Sequence, residues 1–206
     1  MKVLMINGGP HKNGCTNAAL SIIAEELGKN GVESEIVWLG TAPIRGCCGC
    51  GTCKNNRCVF DDDVTNSVIA KAETADAYIF GSPVHYASAS GTITAFLDRF
   101  FYAAGSLVYG KPGACIVSCR RGGASAALDQ LNKYVAYASM PVISSNYWNM
   151  VHGVKAEDVY KDLEGVQTMR ILGHNMAWLL KCIEAGKKAG LDGPVPEAKV
   201  RFNYVR

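Results

Sequence analysis

Short apolar runs alternate with helical stripes along most of the chain. Val3 to Ile6 form an unbroken apolar run closed by Asn7-Gly8-Gly9, the pattern of a short buried strand. Leu20, Ile23 and Leu27 fall on one face of a helix that ends near Gly31. Ser34 to Leu39 predicts a second strand, and Ala77 to Phe80 a third, halted by Gly81-Ser82-Pro83. Ala114 to Val117 predicts a fourth, and Pro141 to Ile143 begins a fifth. Helical stripes fill the intervals: Val64, Val68 and Ala72; then Ile93, Phe96, Leu97, Phe100 and Phe101; then Leu128, Leu131 and Val135. A last long helix carries Met169, Met176, Leu180 and Ile183. Strand and helix alternating five times is the signature of a doubly wound α/β sheet. Right-handed crossovers then leave few topologies.

No internal repeat or linker divides residues 1–206, so they are read as one domain. A cysteine-rich loop spans about residues 44–60. An irregular tail rich in proline and charge closes the sequence. Apolar residues make up 49% and charged residues 19%, an ordinary globular balance at a length that needs no staple. The net charge of +3 comes without a long basic run and argues against nucleic acid. No stretch approaches the roughly 20 apolar residues that span a bilayer. The first apolar run is too short for a secretory signal, so a cytoplasmic location is expected. In a reducing compartment the nine cysteines point to metal or redox chemistry before disulfides.

Three loops lie at expected carboxyl ends of strands, where ligands bind in such sheets. The first, residues 7–17, contains Gly9, His11, Gly14, Cys15, Thr16 and Asn17. Its glycines permit close backbone approach, and a helix start favours an anion. It is read as a phosphate site, or else as a turn capped by Thr16. It carries neither a Walker motif nor a G-x-G-x-x-G fingerprint. The second, residues 81–91, contains Ser82, Pro83, Val84, His85 and Tyr86. Small residues leave room for a flat ring on which Tyr86 would stack; the alternative is a turn with Ser90 as helix cap. The third contains Ser118, Cys119, Arg120 and Gly122, where arginine would meet a ring carbonyl or a phosphate, or simply solvent.

Cys47, Cys50, Cys53 and Cys58 are spaced C-x2-C-x2-C-x4-C, with Cys48 as a spare among them. Such compact spacing suits an iron–sulfur cluster, while zinc prefers separated pairs and a metal-free thiol cluster is the third reading. Cys115 and Cys182 read as small buried hydrophobes. Asp61, Asp62 and Asp63 read as helix-capping carboxylates. The four histidines show no metal-ligand spacing, and no hydrolytic dyad or triad stands out.

The three loops, and the phrase SPVHYASASGTITAFLDR in particular, resemble the flavodoxin-like NAD(P)H-dependent FMN reductases. The cysteine segment followed by the aspartate run is similar to the iron–sulfur flavoprotein branch of that family. The resemblance covers about the first 140 residues and implies a flavodoxin-like five-stranded parallel sheet of order 2-1-3-4-5, with helices on both faces. It implies FMN, with Gly9, His11, Cys15, Thr16 and Asn17 at the phosphate. Pro83, Val84, His85 and Tyr86 would border the ring, and Ser118, Cys119, Arg120 and Gly122 its pyrimidine side. It further implies NAD(P)H as donor of a hydride to flavin N5, a [4Fe-4S] cluster on the cysteine quartet, and a homodimer or homotetramer. The helix from Ile93 to Phe101 would supply part of that interface. The stretch from Tyr147 to Met150 is expected as a lid, a dimer contact or core. The acceptor would be a small molecule such as a quinone, nitro compound or flavin. A one-electron carrier serving protein partners is the rival reading, and a thiol-based redox or metal sensor the third.

Overall fold

The computed structural model describes residues 1–200, 202 and 204. Among the described residues six strands and six helices follow one another: β1 (Lys2–Asn7), α1 (Cys15–Lys29), β2 (Glu33–Trp38), α2 (Thr65–Ala72), β3 (Ala77–His85) and β4 (Ser88–Ala89) come first. Then come α3 (Gly91–Val108), β5 (Gly113–Cys119), α4 (Ala124–Tyr137), β6 (Met150–His152), α5 (Ala156–Val159) and α6 (Leu163–Lys188). The main sheet runs β2-β1-β3-β5-β6, all parallel, and β4 forms an antiparallel hairpin on β3. Without that hairpin the order is the expected 2-1-3-4-5. Residues 191–200 form neither helix nor strand. The rest of the expected tail falls partly outside the described residues.

Side chains alternate across the sheet with period two, and each face builds its own core. Leu4, Ile6, Tyr78, Phe80, Cys115 and Val117 face α2, α3 and α4. Val3, Met5, Ala77, Ile79, Ala114 and Ile116 face α1 and α6. Strand order reverses at β1, so right-handed crossovers send α1 to one face and α3 to the other. The loops that enter these helices part at the carboxyl ends of β1 and β3.

Several sequence expectations change. β3 continues through Gly81-Ser82-Pro83 to His85. Gly81 fits because a Cβ there would stand 2.9 Å from Thr16 Cγ2, and Pro83 lies beyond the last pairing with β1, where proline is tolerated. Pro141 to Ile143 is no strand: Val142 makes one isolated bridge to Gly113, and the fifth parallel strand is β6. The stripe on α3 is spent inside the chain, since Ile93, Phe96, Leu97 and Phe100 are fully buried, and Phe100 meets Tyr78 and Phe80 edge-on. It is unavailable to a partner copy. Cys182 is exposed, unlike Cys115. Tyr147 and Trp148 are exposed too, so core packing is excluded for Trp148.

Phe100→Ala should therefore cost about 3–5 kcal/mol of unfolding free energy, whereas Tyr102→Ala, on the exposed side of α3, should change it by less than about 0.5. Urea unfolding measures both.

Candidate functional site

The first, second and third loops converge on one open cleft of about 240 Å³. Of the expected residues, Gly9, His11, Gly14, Cys15, Thr16, Pro83, Val84, His85, Ser118, Cys119 and Arg120 line it. Pro10, Gly153 and Val154 line it as well and were not anticipated. Asn17, Ser82, Tyr86 and Gly122 stand back from it. Asn17 Oδ1 accepts from Asn7 Nδ2 at 3.5 Å. Ser82 is buried, where its Oγ donates to Pro83 O and accepts from Ser90 N at 2.9 Å. Tyr86 stands fully exposed at the hairpin tip, and Gly122 faces open space.

Buried bonds between distant segments fix the three loops. Gly8 N donates to Gly81 O at 2.9 Å, and Ser90 Oγ to Gly8 O at 2.9 Å. Ser90 Oγ also accepts from Ile93 N, so Ser90 caps α3. Thr16 does not cap α1. It lies one residue inside the helix, and its hydroxyl meets that of Ser118 at 2.9 Å, tying the first loop to the third. Tyr86 and Ala87 both take positive φ, 50° and 59°, as a two-residue hairpin turn demands. Gly123 packs beneath them: a Cβ there would sit 2.6 Å from Ala87 Cα.

The chemistry of the cleft favours an anion. Gly14 occupies the N-cap of α1 and has no side chain to satisfy the first-turn N–H groups, which are left to a ligand at the positive end of the helix dipole. A Cβ at Gly9 would lie 3.0 Å from Asn7 Oδ1 and 3.2 Å from Thr16 Oγ1, so the glycine keeps this cradle open. His11, His85 and Arg120 contribute to the lining, and no carboxylate does among the described residues. Burial, aided by Asp158 and Glu157, pushes the Cys15 thiol up, and burial does the same to Cys119. Neither sulfur therefore offers a negative charge near neutral pH. These residues fit a phosphate-bearing group.

The sequence model of the NADPH-dependent FMN reductase family matches residues 1–155. The chain belongs to that family. An iron–sulfur flavoprotein of Methanocaldococcus jannaschii is 31% identical to it over 197 residues, covering 89% of this chain and 100% of that one. A flavone reductase structure superposes with a TM-score of 0.69 at 18% identity, over 89% of this chain and 64% of that one. A flavodoxin from the domain Archaea does so with a TM-score of 0.60 at 18% identity, over 88% and 99%. The fold is flavodoxin-like, and the family is one of FMN-dependent oxidoreductases. No described helix is long and apolar enough to cross a membrane.

The cysteine loop forms a second, separate place. Cys47, Cys48, Cys50, Cys53 and Cys58 line one small concavity with Phe60, Arg99 and Tyr102. Cys48, expected as a spare, lines it too. Among the described residues no three His, Cys, Asp or Glu side chains converge on a single ion position. Positive φ at Gly49, Gly51, Asn55 and Asn56 turns the loop tightly. Among the described residues none lines both the concavity and the cleft.

The aspartate run does more than cap a helix. Asp63 accepts from Thr65 N at 2.9 Å and pairs with buried Arg99. Burial pushes its carboxyl up, but the Thr65 bonds and Arg99 outweigh it, and the net direction is down. The stability Asp63 lends is complete above its unfolded-state value and is lost as pH falls through the lower folded-state one. Unfolding free energy should thus fall more steeply below about pH 4 in the wild type than in Asp63→Asn. At the cleft, Thr16→Val should cost about 1–3 kcal/mol by orphaning the Ser118 hydroxyl. Adding Ser118→Ala should cost less than the sum of the single changes, as a double-mutant cycle by urea unfolding would record.

Proposed function

We propose that this protein is an FMN-dependent oxidoreductase that takes electrons from NAD(P)H and delivers them to a small acceptor such as a quinone, flavin or nitro compound. The observation that carries this reading is the convergence of three strand-end loops, at the switch in strand order, on one cleft that no carboxylate lines among the described residues. Residues 1–206 act as one FMN-binding domain, active as a homodimer or homotetramer inside the cell. Gly9, His11, Gly14, Cys15 and Thr16 hold the phosphate, with Asn17 bracing Asn7 behind them. Pro83, Val84 and His85 border the ring, Ser82 fixes their backbone, and Tyr86 stands exposed at the hairpin tip beside them. Ser118, Cys119 and Arg120 serve its pyrimidine side, with Gly122 in the turn behind them.

Bound FMN supplies the chemistry, accepting a hydride equivalent and returning the electrons. The chain's own residues bind, orient and tune, which is why no acid–base dyad is needed in the cleft. Arg120 contributes positive charge where the cofactor gains electrons. Cys47, Cys50, Cys53 and Cys58 hold a [4Fe-4S] cluster. Support comes from the all-thiol donor set around one concavity and from relatives named iron–sulfur flavoproteins.

A second reading follows from the separation of the two places. A thiol-lined concavity at the surface, apart from the cleft, suits one-electron exchange with a protein partner. Anaerobic stopped-flow absorbance distinguishes the readings. NADPH or NADH should bleach the flavin band within a catalytic turnover, and a quinone should restore it with steady consumption of nicotinamide. If neither nucleotide reduces the flavin while dithionite does, the reductase reading fails and the carrier reading stands. Arg120→Ala should weaken FMN binding about tenfold, measured by fluorescence titration.

A further inference from the structure

Arg99 breaks the pattern of its helix. It lies in the stripe of Phe96, Leu97 and Phe100 and is 1% exposed, yet it carries a charge. Burying a guanidinium is expensive unless every donor is used. Here all four of its hydrogen bonds go to the cysteine segment and its flanks. Nε donates to Cys58 Sγ at 3.3 Å, Nη2 to Phe60 O at 2.8 Å, and Nη1 to Arg45 O at 3.4 Å and to Asp63 Oδ2. A simple buried Arg–Asp pair would present its fork to both carboxylate oxygens. This one spends a single nitrogen on Asp63 and aims another at sulfur. A neutral thiol is a weak acceptor, whereas a metal-bound sulfur would be a better one for that donor.

Cys58 is also the one quartet member held from behind. It is 5% exposed, its N–H donates to Asn66 Oδ1 at 2.9 Å, and its carbonyl accepts from Asn66 Nδ2 at 3.0 Å. Cys47 and Cys50 are exposed and Cys53 is half-buried.

We propose that Arg99 is a positioning residue that fixes Cys58 as the anchored ligand and, through its N–H···S bond and buried charge, raises the reduction potential of the cluster. The proposal rests on the [4Fe-4S] reading of the quartet. Hydrogen bonds to the sulfurs and local charge are among the levers that set cluster potentials. Asp63 offsets the Arg99 charge, so the two residues should act with opposite sign.

The test uses the full chain, purified and reconstituted anaerobically, as wild type, Arg99→Lys and Asp63→Asn. Iron and acid-labile sulfide are assayed first, and the cluster midpoint is then followed by EPR-monitored redox titration. Arg99→Lys keeps a charge but loses the Nε–H donor and should move the midpoint lower. Asp63→Asn leaves Arg99 uncompensated and should move it higher. Opposite shifts support the proposal, because a merely structural loosening would not reverse sign between the two. With clusters fully assembled, unchanged midpoints, or shifts in the same direction, overturn the role of Arg99 alone. A wild type without iron and sulfide overturns the reading of the quartet, and this proposal with it. Should Arg99→Lys be insoluble, Asp63→Asn decides by an upward shift or none.

Discussion

The handedness of the strand crossovers governs everything else in this molecule. A chain that leaves β1 for β2 and then returns to the far side of β1 must carry its helices to opposite faces of the sheet. The loops after β1 and β3 are thereby forced apart, and a crevice opens at their carboxyl ends. Chemistry is added to that crevice by small residues. Gly9 keeps its floor open, Gly14 leaves the start of α1 uncapped, and Gly123 lets the hairpin of β3 and β4 close down on the third loop. The bond between Thr16 and Ser118 then locks the first loop to the third across 102 residues of sequence.

The same physics explains what could be read from the sequence. β1, β3 and β5 are buried on both faces and appear as unbroken apolar runs, so they were legible. β6 is a three-residue edge strand in which only Val151 is buried, and its polar and aromatic flanks hid it. Gly153 and Val154 carry no sequence signal as cleft residues for that reason, because the strand they follow shows no apolar run. The loops themselves were legible, since position after a strand and glycine content are local features. The side-chain bonds that fix them, such as Thr16 to Ser118, join distant segments and leave no local mark. Arg99 did leave one: a lone charge in phase with buried phenylalanines on α3.

Helix α3 links the cleft to the cysteine concavity. Its cap, Ser90, is tied to Gly8 beside the cleft, and Arg99 is tied to Cys58 at the other site. Nine residues of helical rise separate these anchors by about 14 Å. The apolar stripe between them is buried against the sheet, so the helix acts as a fixed strut and not as a subunit contact. The cysteine loop has little regular structure of its own and takes its placement from Arg99, Asn66 and Asp63.

The proposed function requires a cleft built around a phosphate as much as around a ring. Comparing the affinities of the apoprotein for FMN and riboflavin by fluorescence titration tests it most directly, because the two ligands differ only in that phosphate. Charge-assisted bonds to an uncapped helix start and the basic lining predict that FMN binds at least about 100-fold more tightly. Equal affinity for the two, or binding of neither, would rule out a phosphate site in the cleft.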